Sequence, residues 1–292
     1  MSKSVTKAQL FHMGGTPVGM DFPGAENFYY VDNNGSDNND GSSWDSAKAT
    51  IQAAITLSNA TIDWSTTPDR YNVIYIAPGV YAENLTPAYY CHLVGTGIRG
   101  TDTMAEIHPA TGSCITGTFL GTHLYNLWLE VNTAVPCLDI GICNNSLIEF
   151  CTFTNGAAVA ATAVDTDNCT HLTMRYCSVE SGQSTGMAYG LYHRGGDEKY
   201  AHNCRIHDNV IHCTTAGIWI QDTCTASQYT AWNNLIARPT KGIDDNNGTS
   251  YLYNNYITAT SDAIEHANSA TQCIGNHVIN NATGAVEASG TD

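Results

Sequence analysis

A chain of 292 residues with 26 glycines and only 13% charged residues reads as a body of short strands and many turns, not as a helical enzyme. Its formal net charge of −16 excludes a bare nucleic-acid binder, because release of phosphate counterions needs Lys and Arg on the protein side. The same charge suits solubility, a cation, or a basic partner surface.

The first 27 residues, rich in Gly and Met and without periodicity, read as an extended N-terminal arm that orders on a partner. No apolar run has the length of a signal peptide or of a membrane span, so the expectation is synthesis in a cytosol and no membrane partner. In that setting the eleven cysteines are expected as buried thiols and not as a disulfide frame. There is no C-x-x-C pair, the closest spacing being Cys137 to Cys143, so no metal and no cofactor is expected.

Residues 28–66 should hold a strand, a turn and a capping helix. DNNGSDNNDG has the composition of a calcium loop, but Asp37 stands where an EF-hand needs Gly. A plain turn is the expectation. It leads to Thr50 as N-cap of a helix in which Ile51, Ala54 and Ile55 share one face. An amphipathic helix of this kind can cover the open end of a stacked sheet. Beyond it, Val73–Ile76 and His92–Val94 read as strands.

From about residue 120 the chain repeats, and residues 67–292 are read as one stacked body. YNLWLE, FCTFTN, YCSVES, DNVIHC, NNLIAR, NNYITA and GNHVIN align on Asn126, Cys151, Cys177, Asn209, Asn234, Asn255 and Asn276, at intervals of 25, 26, 32, 25, 21 and 21 residues. Two positions later stand Trp128, Phe153, Val179, Ile211, Ile236, Ile257 and Val278; three positions earlier stand His123, Ile148, Met174, Ile206, Ala231, Leu252 and Cys273. A second apolar column runs Leu138, Val164, Leu191, Ile218, Ile243, Ile264 and Val286. A unit this short cannot bury its own apolar face, so successive units must stack. Parallel stacking puts like residues on like residues, and a corner Asn can then donate and accept along the stack.

The progression YYVDNNGSDNNDG, AKATIQAAI, VIYIAPGVYAENL, LVGTG and then N-x-[IVL] coils with GI strands resembles the right-handed parallel β-helix (pectate-lyase-like) superfamily over residues 28–287. The resemblance implies an all-β solenoid with an N-terminal capping helix, of about nine or ten coils. It leaves activity open, because polysaccharide lyases, glycosidases, bacteriophage tailspikes and non-enzymatic virion trimers share this fold.

One outward column is Asp139, Asp165, Tyr192, Trp219, Asp244, Glu265 and Glu287. As an enzyme, Asp244 and Glu265 would be the acid and the nucleophile or base of a glycosidase, with Tyr192 and Trp219 as sugar platforms. As a structural protein, the acids face solvent and the aromatics anchor an interface. A lyase is disfavoured: Trp219-Ile220-Gln221-Asp222 only echoes the superfamily's Trp-Ile-Asp-His motif and lacks the His. His202, His207 and His212 are spaced so that they alternate faces, which argues against one metal. The expectation is a homotrimeric bacteriophage virion protein of the capsid decoration (cement) type, made in the host cytoplasm. Its arm, residues 1–27, would grip a major capsid or other virion protein. The alternatives are a tailspike-type depolymerase or an adhesin for a host surface glycan.

Overall fold

The computed structural model describes residues 25–61, 70–99, 103–157, 160–180, 186–194, 200–221, 226–246, 249–266 and 271–280, with two short strands at His12–Met13 and Thr16–Pro17. Most of the arm expected at residues 1–27, and with it Val286 and Glu287, lies outside these residues. The first strand of the body, Ala25–Val31, already begins within that span.

The chain winds into a parallel β-solenoid of about seven turns, fewer than the nine or ten expected, because the strand layers nearest the helix lack one of the three walls. Each full turn has three short strands. In one such turn, Lys241–Asp245 lies in the first wall, Tyr251–Tyr253 in the second and Tyr256–Ala259 in the third. The next turn repeats them at Asp262–His266, Gln272–Ile274 and His277–Asn280. All pairings between turns are parallel.

Register places the apolar columns as expected, with one slip. Leu138, Val164, Leu191, Ile218, Ile243 and Ile264 pair in sequence along the first wall. Along the third wall, Phe153, Val179, Ile211, Ile236, Ile257 and Val278 do the same. In the first of the aligned repeats the true partner of Phe153 is Leu129, and Trp128 pairs with Thr152. Likewise Leu124, not His123, pairs with Ile148. The slip follows from giving Asn126 the role of Cys151. Asn126 instead takes the left-handed corner, at φ 55°, which Phe150, Tyr176, Asp208, Asn233 and Asn254 take in later turns. Leu124, Leu127 and Leu129 then all point inward and are fully buried.

The corner after each second-wall strand carries an asparagine ladder. Asn234 Nδ2 donates to Ile206 O (2.9 Å) and to Asn255 Oδ1 (2.9 Å), and Asn234 Oδ1 accepts from the Asn209 backbone N–H and Nδ2. Asn209 and Asn255 repeat the pattern, ending on Asn276. Every donor and acceptor of Asn234, which is 1% exposed, is thereby used, as a buried amide requires. In the two turns before the ladder, cysteine fills the position: the Cys151 thiol donates to Leu124 O and the Cys177 thiol to Ile148 O. The described cysteines are all free and, apart from half-buried Cys273, buried. Burial pushes the Cys91, Cys204 and Cys213 thiols up to about 12, so they are inert at neutral pH.

The helix, Ile51–Thr61, seals the starting end. Ile51, Ala54 and Ile55 are fully buried in the core that also contains Tyr29, Val31, Ile74 and Leu85. Three of its first backbone N–H groups are closed by two side chains: Thr50 Oγ1 accepts from Ala53, and the Glu83 carboxylate accepts from Ile51 (2.9 Å) and Gln52 (3.0 Å). A carboxylate there also suits the positive end of the helix dipole. DNNGSDNNDG is the turn expected. Asp37 accepts from the Ala49 and Thr50 N–H groups and the Thr50 hydroxyl, Asp32 accepts from Asn34, and Asp40 accepts from Ser42 and Ser46.

Replacing Asn234 with Ala orphans the Ile206 carbonyl and the Asn209 amide, a loss of about 2–4 kcal/mol. Asn234→Cys, which copies Cys177, should lose less. Urea midpoints of the two variants check the order, and equal midpoints would contradict the ladder's role.

Candidate functional site

In the first-wall stretches Tyr189-Gly190-Leu191-Tyr192, Ala216-Gly217-Ile218-Trp219 and Lys241-Gly242-Ile243-Asp244, the two middle residues face the core. In Ile140-Gly141-Ile142-Cys143 they do not, and Ile142 is exposed. A Cβ on Gly217 would lie 2.5 Å from Ile236 Cγ2 and 2.7 Å from Gly242 O. Only glycine lets the coils approach this closely. The flanking residues, three apart, then share the other face of the strand. This breaks strict strand alternation and creates neighbours that spacing alone does not reveal. Tyr189 stacks on Tyr192 at 5.1 Å, and Lys241 meets Asp244.

The outward column expected from the sequence is present and in register: Asp139, Asp165, Tyr192, Trp219, Asp244 and Glu265 sit on successive turns. The structure divides it into three parts. At one end, Arg194 bonds to Asp139, to Asp165 (Nε–Oδ1 2.7 Å) and, at 3.5 Å, to Asp167. Burial pushes the Asp165 carboxyl up to about 6; Arg194 opposes this, while Asp139 and Asp167 add to it. One guanidinium serves three carboxylates, and Asp165 is the most deeply buried of them.

In the middle, Tyr189, Tyr192 and Trp219 form a half-buried cluster with ring centroids 5.1–5.2 Å apart, and the Tyr192 hydroxyl donates to Gln221 Oε1. At the far end, Lys241 Nζ sits between Asp244 Oδ2 (2.8 Å) and Glu265 Oε2 (2.5 Å). Asp244 is 1% exposed. The two carboxylates proposed as a catalytic pair are thus adjacent, as their register required, but they share one ammonium. That contact raises the affinity of Lys241 for its proton. Arg194, Lys241 and Tyr189 were not singled out from the sequence. The Lys-Gly-Ile-Asp spacing held the signal, legible only once the inward Gly-Ile pair is known.

The second wall carries a feature that the repeat reading passed over. Rings follow one another along its outer face: Tyr125, Phe150 and Tyr176, then His207, Trp232 and Tyr253, with neighbouring centroids 4.0–6.1 Å apart. Phe150 and Tyr176 hold the left-handed corner, a conformation that disfavours bulky residues. They stack on each other at 5.1 Å, with Arg99 over the first ring and Arg175 over the second. Beside them an open cleft of about 600 Å³ is lined by His171, Arg175, Arg205, His207 and Trp232 among others. Arg175 pairs with Glu149 (2.9 Å), whereas exposed Arg205 makes no ion pair among the described residues. Of the three histidines considered for a metal, His202 and His207 share a second-wall strand and His212 lies in the third wall. His207 bonds to Asp208 and stacks on Trp232. Asp222 lies outside the described residues.

On the third wall, Glu106, His108 and Glu130 bring donor atoms within 4.8 Å of one another. They belong to two adjacent turns and show no sequence motif.

No family model, curated protein or solved structure matches the chain.

The raised Asp165 carboxyl has a pH consequence. A group whose folded pKa lies above its unfolded value stabilises the fold fully below the unfolded pKa and loses that contribution as pH rises through the folded one. The window here is about pH 4 to 6. Unfolding midpoints should therefore fall across it in the wild type and fall less in Asp165→Asn. An unchanged slope in the variant would show that Asp165 titrates normally.

Proposed function

We propose that this chain is a non-catalytic structural solenoid that assembles with copies of itself. Together with the resemblance to pectate-lyase-like phage proteins, that suggests a homotrimeric virion component of the capsid decoration type, attached to its particle through residues 1–27. The observation that carries the non-catalytic reading is the clamp of Lys241 on both Asp244 and Glu265. A glycosidase needs one of its two carboxyls protonated as the acid and the other free to attack or to activate water. An ammonium held between both occupies an oxygen of each that the chemistry would use.

Self-association is supported by the Tyr189, Tyr192 and Trp219 cluster. Packed aromatic rings on an otherwise polar flank, bordered by charges already satisfied within the chain, have the make-up of an interface centre. A second reading, a passive adhesin for a surface glycan, is favoured by the open second-wall cleft, which Arg205 lines together with His171, His207 and Trp232.

Light scattering after gel filtration should give a mass of three chains, and Trp219→Ala should shift it towards one, since an interface anchor contributes about 2 kcal/mol or more. A monomeric wild type would reject the assembly. Incubation with bacterial surface polysaccharides should release no reducing ends and no unsaturated product. Release that stops in Asp244→Asn would replace this reading with a depolymerase.

A further inference from the structure

The third-wall cluster is not simply acidic: an imidazole and a carboxamide converge there with two carboxylates, drawn from two adjacent turns. Glu106 lies on the strand Ala105–Ile107 and His108 directly follows it. Glu130 lies on the next strand, Leu127–Val131, with Asn132 directly after it. Thr154 and Gly156 come from the turn beyond. The side chains are recessed: Glu106, His108 and Glu130 are 18%, 24% and 16% exposed.

His108 Nδ1 lies 3.0 Å from Glu106 Oε1, and Asn132 Nδ2 lies 2.7 Å from His108 Nε2. A neutral ring with its proton on Nδ1 satisfies both contacts: Nδ1–H donates to Glu106, and the Nε2 lone pair accepts from Asn132. That lone pair then stands 3.5 Å from a second acceptor, Glu130 Oε1. Two acceptors at this distance do not bond to each other, but two ligands of one small tetrahedral ion, each ~2.1 Å from it, lie about 3.4 Å apart. Glu130 is also oriented from behind, because Thr154 Oγ1 donates to its Oε2 at 2.8 Å and Trp128 Nε1 donates to Thr154.

A separate observation concerns the space itself. A Cβ at position 156 would lie 2.3 Å from Glu130 Oε1 and 2.5 Å from Asn132 Oδ1. Because residue 156 is glycine, a point within ligand distance of two oxygens stays open. Gly156 has no positive φ, so the backbone there does not require glycine. The open space is what its missing side chain provides.

We propose that Glu130, His108 and Asn132 bind a divalent first-row transition ion, Mn²⁺ or Zn²⁺, with Glu106 and Thr154 as positioning residues. Oxygen ligands with one imidazole suit these ions. A carboxylate on the far nitrogen of a ligating histidine fixes its tautomer and orientation. Asn132 Oδ1 already borders the open space, so binding requires only that the Asn132 Nδ2 hydrogen bond to His108 Nε2 is released. The bound ion adds a tie between turns that the backbone ladder and the hydrogen bonds of Asn132 and Thr154 already join.

The full chain, stripped with chelator, is titrated by calorimetry with MnCl₂, ZnCl₂ or CaCl₂ and its melting temperature is followed. The expected result is one Mn²⁺ or Zn²⁺ per chain and a rise in melting temperature that chelator reverses. His108→Ala and Gly156→Ala should each weaken affinity about tenfold or more. Gly156→Ala keeps every ligand and fills only the space, so it separates loss of the site from loss of the fold, which circular dichroism checks. Thr154→Val should weaken affinity less than His108→Ala. No binding of either transition ion, equal affinity in the wild type and both alanine variants, or binding of Ca²⁺ alone would each overturn the assignment.

Discussion

The structure depends on the hydrogen bonds that run along the solenoid axis. A coil of 21 to 32 residues with three short strands has too little interior to fold alone, and its corners leave polar backbone groups facing inward. The ladder from Asn209 to Asn276 closes those groups and sets the register in one step, since each side-chain amide bonds the carbonyl before it and the amide after it. With the corner fixed, Ile211, Ile236 and Ile257 stack without choice. Where the thiols of Cys151 and Cys177 replace the amide, a weaker donor reaches the equivalent carbonyl. There the neighbouring corner residues are Phe150 and Tyr176, whose stacked rings and flanking arginines hold the same turn from outside.

The charges follow from the same stacking. Equivalent positions on successive coils lie roughly 5 Å apart, so a column of acids is self-repelling unless cations are interleaved. Arg194 among Asp139, Asp165 and Asp167, and Lys241 between Asp244 and Glu265, are those cations. In a chain with 11 Lys and Arg against 27 Asp and Glu, placing one cation beside two or three acids makes the first wall tolerable. The same placement ties Asp244 and Glu265, the pair considered for catalysis, to one ammonium. The second wall differs. Along it run stacked rings, and Arg205 makes no ion pair among the described residues.

The all-β solenoid, the asparagine ladder and the buried thiols were legible in the sequence, because each depends on residues repeated at one depth of successive coils. The turn at Asp37 and the capping helix were legible from local turn and N-cap residues. The candidate site was legible only as a list of positions. Asp244 and Glu265 could be placed one coil apart, but the Lys241 between them could not, because the Gly242-Ile243 pair turns inward and brings residues three apart to one face. The slip at Asn126 has a related cause: asparagine serves both as the inward ladder residue and as the left-handed corner residue just before it, and spacing does not separate the two.

The sequence by itself determined which residues stack, since period and polarity along a solenoid act within each coil and repeat from one to the next. The tertiary structure alone decided which side chains meet across coils: Arg194 with Asp139, Glu106 with His108 and Glu130, and His207 with Trp232. Those meetings depend on loops of unequal length between the walls, on the glycines that let coils approach, and on corner conformations. No periodic pattern records any of these.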